Sequence, residues 1–113
     1  MPKLLIIGFV WPEPKSSAAG IRMLQLIRSF QDHNYKITFA SACAKTNNAY
    51  NLEDINVNQV FIKLNDSSFD TFVKALNPDI VLFDRFMSEE QFGWRITEHC
   101  PNVLRLLDTE DLH

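Results

Sequence analysis

The sequence predicts an α/β fold, a Rossmann-like doubly wound parallel sheet of about five strands in the order 3-2-1-4-5. Apolar segments of strand length alternate with segments of helical periodicity, the pattern of strands joined by helical crossovers. Two of these segments, 3–9 and 79–84, are almost continuously apolar, as expected for strands buried on both faces. The 113 residues are 46% hydrophobic and 22% charged, which is typical of a globular domain with a real core.

The first half of the chain contains three predicted strands and one helix. "KLLIIGF" (3–9) is the first strand, "KITFASA" (36–42) the second and "VNQVFIKL" (57–64) the third. Between the first two, a helix begins at Ala18, and its apolar residues recur at helical spacing: Ala19, Met23, Leu26, Ile27 and Phe30. The polar segment 45–54 is predicted as a loop with room for a short helical turn.

A second helix is predicted after residue 66. Ser67 and Asp70 have the spacing of a weak capping box, in which each side chain bonds to the other residue's main-chain amide. Asn77-Pro78 ends this helix, because proline disfavours the helical conformation of the residue before it. The buried strand 79–84 follows directly.

A third helix is predicted from a stronger capping box. Ser88 and Gln91 form that box, and Met87 and Phe92 are spaced as its hydrophobic staple. "VLRLLD" (103–108) is then the fifth strand. The chain ends in a short acidic segment with no covering helix, so we expect a domain truncated after its last strand.

Charge and composition exclude several classes of function. The net charge is −3 and no basic run occurs, so no nucleic-acid partner is expected. No segment has the length of a transmembrane span, and the opening apolar segment is too short to predict a signal peptide. Cys43 and Cys100 are far apart, with no metal-ligand spacing around either, so free thiols are predicted and no metal site. These features together predict a cytoplasmic protein.

The strand order predicts where a ligand would bind. In an open parallel sheet, ligands bind beyond the carboxyl ends of the strands, where the strand order reverses. For the order 3-2-1-4-5, the loop 10–20 and the Asp84-Arg85 pair face each other across that crevice. The segment from Asp108 onward lies one strand further along the same edge.

Ser16, Ser17 and Gly20 precede or begin the first helix, whose N-terminal amides form a generic anion site. The alternative is that one of the serines is only the N-cap of that helix. The loop has no G-x-G-x-x-G or Walker A pattern, and the second strand does not end in an acidic residue. No dinucleotide or other cofactor is therefore expected.

Asp84 and Arg85 either contact a ligand or form a local salt bridge that stabilises the rim of the sheet. Asp108, Glu110 and Asp111 form a carboxylate cluster that could provide a general base or a metal site, but it could equally be solvated surface acid. The catalytic residues stay unassigned at this point.

Several motifs together resemble a known family. The strand "KLLIIGF", the segment "WPEPKSSAAGIRMLQLIRSF" and the strand "YKITFASA" resemble the opening of family-4-type glycosyltransferases with the GT-B fold. "NPDIVLFDR" resembles the fourth strand of that family, and "VLRLLDTEDLH" resembles the fifth strand and following loop of a bacterial subgroup. The turn "DHNYKIT" has Asn34 where the family usually has glycine, and Ala18-Ala19 replace the usual glycine pair before Gly20.

The resemblance implies that residues 1–113 are the N-terminal, acceptor-side domain of a retaining, metal-independent enzyme that uses a nucleotide-sugar donor. Most donor-binding groups of the family lie in a second Rossmann-like domain, so we expect 1–113 alone to be inactive. The Ser16–Gly20 loop would approach the donor diphosphate or the acceptor, and Arg85 and the segment from Asp108 would line the acceptor side. The alternative is a stand-alone Rossmann-like ligand-binding or interaction module. An apolar fifth strand at the sheet edge also favours self-association.

Overall fold

The computed structural model describes residues 1–109 and confirms the predicted fold class. Five parallel strands form one sheet in the order β3-β2-β1-β4-β5. The strands are β1 (Lys3–Gly8), β2 (Lys36–Ser41), β3 (Asn58–Phe61), β4 (Ile80–Asp84) and β5 (Leu104–Asp108). The helices are α1 (Ala18–Asp32), α2 (Ser67–Leu76) and α3 (Arg85–His99).

Helices cover both faces of the sheet, which is why β1 and β4 bury apolar side chains on both faces, with Asp84 at the carboxyl end of β4 as the charged exception. On one face, α1 packs on alternate strand residues around a core that includes Leu4, Ile6, Met23, Ile27 and Phe39. On the other face, α2 and α3 pack on the intervening residues, and that core includes Leu5, Ile7, Phe69, Phe83 and Phe92. The doubly wound arrangement therefore follows directly from the continuous apolar runs.

The order of the strands reverses beside β1. Leu4 of β1 is in register with Ile37 of β2 on one side and with Ile80 of β4 on the other. The next strand in sequence after β1 therefore lies on one side of it, and β4 lies on the opposite side. This position is the topological switch point at which ligands bind in folds of this kind.

β3 is shorter than predicted, and the segment before it contains a short helix. The predicted loop 45–54 does end in a helical turn, a 3₁₀ helix at Leu52–Ile55. Asn56 then adopts a left-handed conformation with φ of 64°, so the strand cannot begin before Asn58. At its other end β3 stops at Phe61, because its partner β2 ends at Ser41 in the same register.

The capping box predicted for α2 does not form. The N-cap is Asp66, one residue earlier than predicted, and its side chain accepts a hydrogen bond from the amide of Ser68. Asp70 points away from the helix terminus and pairs with Arg95 of α3 at 2.7 Å. The predicted capping role of Asp70 is therefore wrong, and its partner lies in another helix.

The start of α3 was also predicted wrongly. The helix begins at Arg85, immediately after β4, and Ser88 lies inside it with only 1% of its surface exposed. Met87 is 47% exposed while Phe92 is buried, so the predicted staple between them is absent. The cause is Arg85 itself, whose φ of 72° turns the chain from strand into helix without a loop.

Two further expectations concern the thiols and the membrane. Cys43 and Cys100 are both free and partly buried, as the sequence predicted. Across residues 1–109, no helix combines the length and the apolar character that crossing a bilayer requires.

Candidate functional site

Three segments that are distant in sequence meet at the carboxyl edge of the sheet beside the switch point. Asp84 at the end of β4 is in register with Asp108 at the end of β5. The Oδ2 atom of Asp84 accepts a long hydrogen bond, 3.4 Å, from the amide of Phe9 just after β1. Arg22 of α1 donates to Oδ2 of Asp108 at 2.9 Å. The juxtaposition expected from the strand order is therefore present.

The two aspartates occupy neighbouring positions on the same face of the sheet. Like charges placed side by side in this way repel each other, so such pairs are kept where another group compensates them or where they serve a function. Asp84 is 6% exposed, and the side chain of Asp108 is 12% exposed. Arg22 supplies a compensating charge for Asp108, with its own side chain 51% exposed at the rim. Of the rest of the predicted carboxylate cluster, Glu110 and Asp111 lie outside the described residues.

The loop before α1 is organised around Glu13. Its carbonyl oxygen accepts hydrogen bonds from the amides of Ser16 and Ser17, both at 3.0 Å. Its carboxylate accepts from the hydroxyls of Ser16, at 3.1 Å, and Thr46, at 2.5 Å. Ser17 is the N-cap of α1, and its Oγ accepts from the amide of Gly20 at 3.0 Å. The N-cap interpretation of this serine is therefore confirmed.

These contacts limit what the loop can offer to an anion. The amides of Ser16, Ser17 and Gly20 are already hydrogen-bonded within the loop, and the Glu13 carboxylate adds negative charge beside them. Gly20 has a packing role, since a Cβ atom there would lie 2.6–2.8 Å from the main chain of Glu13. The loop and α1 can approach this closely only because residue 20 has no side chain.

Arg85 has an unusual conformation and environment. Its guanidinium lies over the ring of Phe9, 5.3 Å from the ring centroid. Its Nε atom is buried and has no hydrogen-bond partner among residues 1–109. The proposed Asp84–Arg85 salt bridge does not form, because the Asp84 carboxylate is directed to the Phe9 amide and does not cap α3.

The cleft at the switch point is small. Its volume is about 20 Å³, and Trp11, Glu13, Ser17, Asp84 and Arg85 are among the residues that line it. A volume of that order holds roughly one water molecule. A larger ligand would therefore lie across the rim, where Phe9 and Val10 are 38% and 36% exposed.

A much larger groove of about 540 Å³ lies on the outer side of α1, against Tyr50 and Ile55. Its volume is within the range of ligand-binding pockets, and another groove of about 590 Å³ lies beside Tyr35 and Lys36. The first groove lies on the outer surface of α1, and neither Asp84 nor Asp108 lines it. We favour the switch-point cleft because charged side chains from three segments meet there.

Two further features of the described residues concern metal binding and shifted pKa values. Within the described part of the chain, no three His, Cys, Asp or Glu side chains are placed to hold a metal ion. Hydrogen bonds from Ser68 lower the pKa of Asp66, and burial raises the pKa of the Cys100 thiol. Neither residue lines the switch-point cleft.

The sequence did not identify Phe9 or Arg22 as rim residues. Phe9 was counted only as the last apolar residue of the first strand, although the strand ends at Gly8. Arg22 has no assigned role in any motif recognised in the sequence. Its position could have indicated an anionic partner, because a positive charge so near a helix N-terminus opposes the helix dipole and is favoured only beside a negative charge.

Comparisons with known proteins add no family assignment. No protein-family model matches the sequence, and no curated protein matches it significantly.

Proposed function

We propose that this chain is the N-terminal, acceptor-binding domain of a retaining, metal-independent glycosyltransferase, acting on an acceptor that receives sugar from a nucleotide-sugar donor. The family resemblance of the strand and loop motifs suggests the activity. The observation that carries the proposal is the set of charged groups at the switch point, Asp84, Arg85, Asp108 and Arg22, beside the exposed ring of Phe9.

The chemistry of these groups suits a polyol ligand. Carboxylates accept hydrogen bonds from hydroxyls, and arginines donate to ring and hydroxyl oxygens. The exposed Phe9 and Val10 offer apolar surface for the C–H face of a sugar ring. Pockets that combine apolar surface with a few well-placed polar groups bind small molecules with defined orientation.

The small volume of the cleft determines how the domain would work. A sugar is far larger than the 20 Å³ available, so it would rest on the rim, with one face against Phe9. Its opposite face would be covered by a second domain that holds the donor. This arrangement excludes water only when the two domains close, which is why we expect the isolated chain to transfer no sugar.

The proposal is tested by mapping ligand contacts on the ¹⁵N-labelled chain by NMR. We expect a methyl glycoside panel and UDP-glucose to shift the amide signals of Phe9, Val10 and Asp84. Asp108→Asn should weaken that response, because it removes the charge while keeping the size of the side chain. Asp32→Asn, which removes an exposed carboxylate at the far end of α1, is the matched control.

Two results would contradict the proposal. Shifts confined to the large groove beside Tyr50 would move the binding site away from the switch point. Tight binding of a free nucleotide by the isolated chain, with no response to any sugar, would favour the stand-alone ligand-binding module.

We also propose a cytoplasmic location, which the free thiols at Cys43 and Cys100 support. Self-association through β5 is proposed from its exposed leucines, Leu104 at 56% and Leu107 at 43%. Sedimentation velocity tests the latter, since Leu104→Lys should shift a dimer to monomer. A wild-type chain that is monomeric at high concentration would exclude it.

A further inference from the structure

Arg85 differs from the other arginines that contact the sheet or its helices. Arg22 pairs with Asp108, Arg95 pairs with Asp70, and Arg105 pairs with Glu89. Arg85 makes neither a hydrogen bond nor an ion pair with any residue of 1–109. Its Nε atom is buried without a partner, as is that of Arg95, but the Arg95 guanidinium is paired with Asp70 through its amino group. Burying a donor without an acceptor costs free energy, so an unpaired guanidinium of this kind calls for an explanation.

The backbone at Arg85 adopts a conformation that no other residue of its type adopts among residues 1–109. Five non-glycine residues among 1–109 have positive φ, and Arg85, with φ of 72°, is the one that is not asparagine. Asparagine tolerates the left-handed region far better than arginine does. The four asparagines are Asn34, Asn56, Asn65 and Asn77. Backbone strain at a less tolerant residue is typical of functional positions.

The surroundings of Arg85 hold its guanidinium in place and leave its charge available. The ring of Phe9, 5.3 Å away, supports one face of the guanidinium through a cation–π contact. The nearby carboxylates are engaged elsewhere, Asp84 with the Phe9 amide and Asp108 with Arg22. A guanidinium fixed in this way presents a rigid set of donors, the geometry that best matches the oxygens of phosphate or carboxylate.

We propose that Arg85 binds an anionic oxygen group, a phosphate or a carboxylate, of the ligand that occupies the switch-point cleft. This inference rests on the proposed function, which places the ligand at that cleft, and adds the chemical class of one of its groups. The group can come from the phosphates of the nucleotide-sugar donor or from a charged acceptor. In either case it supplies oxygen acceptors for the guanidinium group of Arg85.

The experiment follows the Nε–Hε signal of Arg85 in the ¹⁵N-labelled 113-residue chain. The chain is titrated separately with inorganic phosphate, UDP, glucose 6-phosphate, glucuronate and methyl glucoside. We expect the charged ligands to shift this signal saturably. Arg85→Gln should weaken their binding roughly tenfold or more, as for loss of a charged hydrogen bond. Arg28→Gln, at an exposed position on α1, should leave the affinity unchanged.

A second variant separates binding from folding. Glycine adopts positive φ without strain, so Arg85→Gly should keep or raise the melting temperature while losing the anion. Tightest binding of UDP would assign the anion to the donor. Tightest binding of glucose 6-phosphate or glucuronate would assign it to the acceptor, and both results support the inference.

Other outcomes refute the inference and can be told apart. If methyl glucoside shifts the Phe9 and Asp84 amides while no anion moves the Arg85 signal, the inference fails and the proposed function stands. If no ligand shifts any rim signal, both fail. Anion affinity unchanged in Arg85→Gln refutes the inference alone.

Discussion

Gly20 and Gly93 allow a sharp test of what each glycine does in its helix. At Gly20, a Cβ atom would lie 2.6, 2.7 and 2.8 Å from the C, N and O atoms of Glu13. At Gly93, the nearest atoms would be Oε2 of Glu89 at 2.7 Å and an amino nitrogen of Arg105 at 2.8 Å. The distances are alike, but the first neighbours are main-chain atoms and the second are ends of flexible side chains.

The expected free energies of unfolding differ accordingly. Alanine in place of glycine stabilises a helix by up to about 1 kcal/mol, and overpacking costs about 1–3 kcal/mol when the neighbour cannot move. For Gly20→Ala the upper part of that cost applies, so we expect a net loss of about 1–2 kcal/mol. For Gly93→Ala, the displaced Glu89–Arg105 pair is about one-third exposed and contributes roughly 0–1 kcal/mol, so the change should be near zero.

Thermal unfolding followed by circular dichroism measures both variants against the wild type. Gly20→Ala should lower Tm by about 4–16 °C, since each kcal/mol shifts Tm by about 4–8 °C in a domain of this size. Gly93→Ala should change Tm by no more than about 3 °C. Equal Tm values for Gly20→Ala and wild type would refute the reasoning, as would a larger loss at Gly93 than at Gly20.

Three further predictions concern stability. Ser17→Ala should lower the free energy of unfolding, measured in urea, by about 1 kcal/mol, because α1 loses its N-cap. Ser16→Ala should lower it clearly less, and equal losses would contradict the cap assignment. Asp70→Ala should lower the free energy of unfolding by roughly 3 kcal/mol, because the side chain of Arg95 is only 11% exposed and would lose its partner. Adding Arg95→Met should recover part of this loss. A loss below about 0.5 kcal/mol for Asp70→Ala would contradict the prediction. Burial raises the pKa of the Cys100 thiol above its usual value of 9.0, so this group favours folding below that pH and loses its contribution as pH rises through the folded-state pKa. The urea midpoint of wild type should therefore fall more between pH 8 and pH 10 than that of Cys100→Ala, and parallel pH profiles would contradict the assignment.

The strands and their order were predictable because they follow from apolar runs alone. A run such as 3–9 is buried on both faces only inside a covered parallel sheet, and the alternation of strands and helices indicates the doubly wound class. The N-cap at Ser17 was equally local. The sequence did not predict which of the two tryptophans is buried. Trp11 is 1% exposed and Trp94 is 53% exposed as a result of packing between distant segments.

The remaining features depend on contacts that no local pattern encodes. Asp70 has the spacing of a capping residue, yet Arg95, 25 positions away, is a stronger partner than a helix amide. The start of α3 was missed because a left-handed arginine is too rare a turn residue to predict. At the rim, strand order was enough to predict that the loop and the Asp84-Arg85 pair line one cleft. The individual partners of Asp84, Asp108 and Glu13 depend on side-chain contacts between distant segments.

The central position of β1 has a consequence for synthesis of the chain on the ribosome. Lys3, at the start of β1, donates its amide to Asp79, 76 residues further along, and β1 lies between β2 and β4. Ribosomes add about 5–20 residues per second, so the apolar residues of β1 wait several seconds before the second partner strand is synthesised. During that time one edge of β1 is unpaired, which makes the nascent chain a substrate for chaperones.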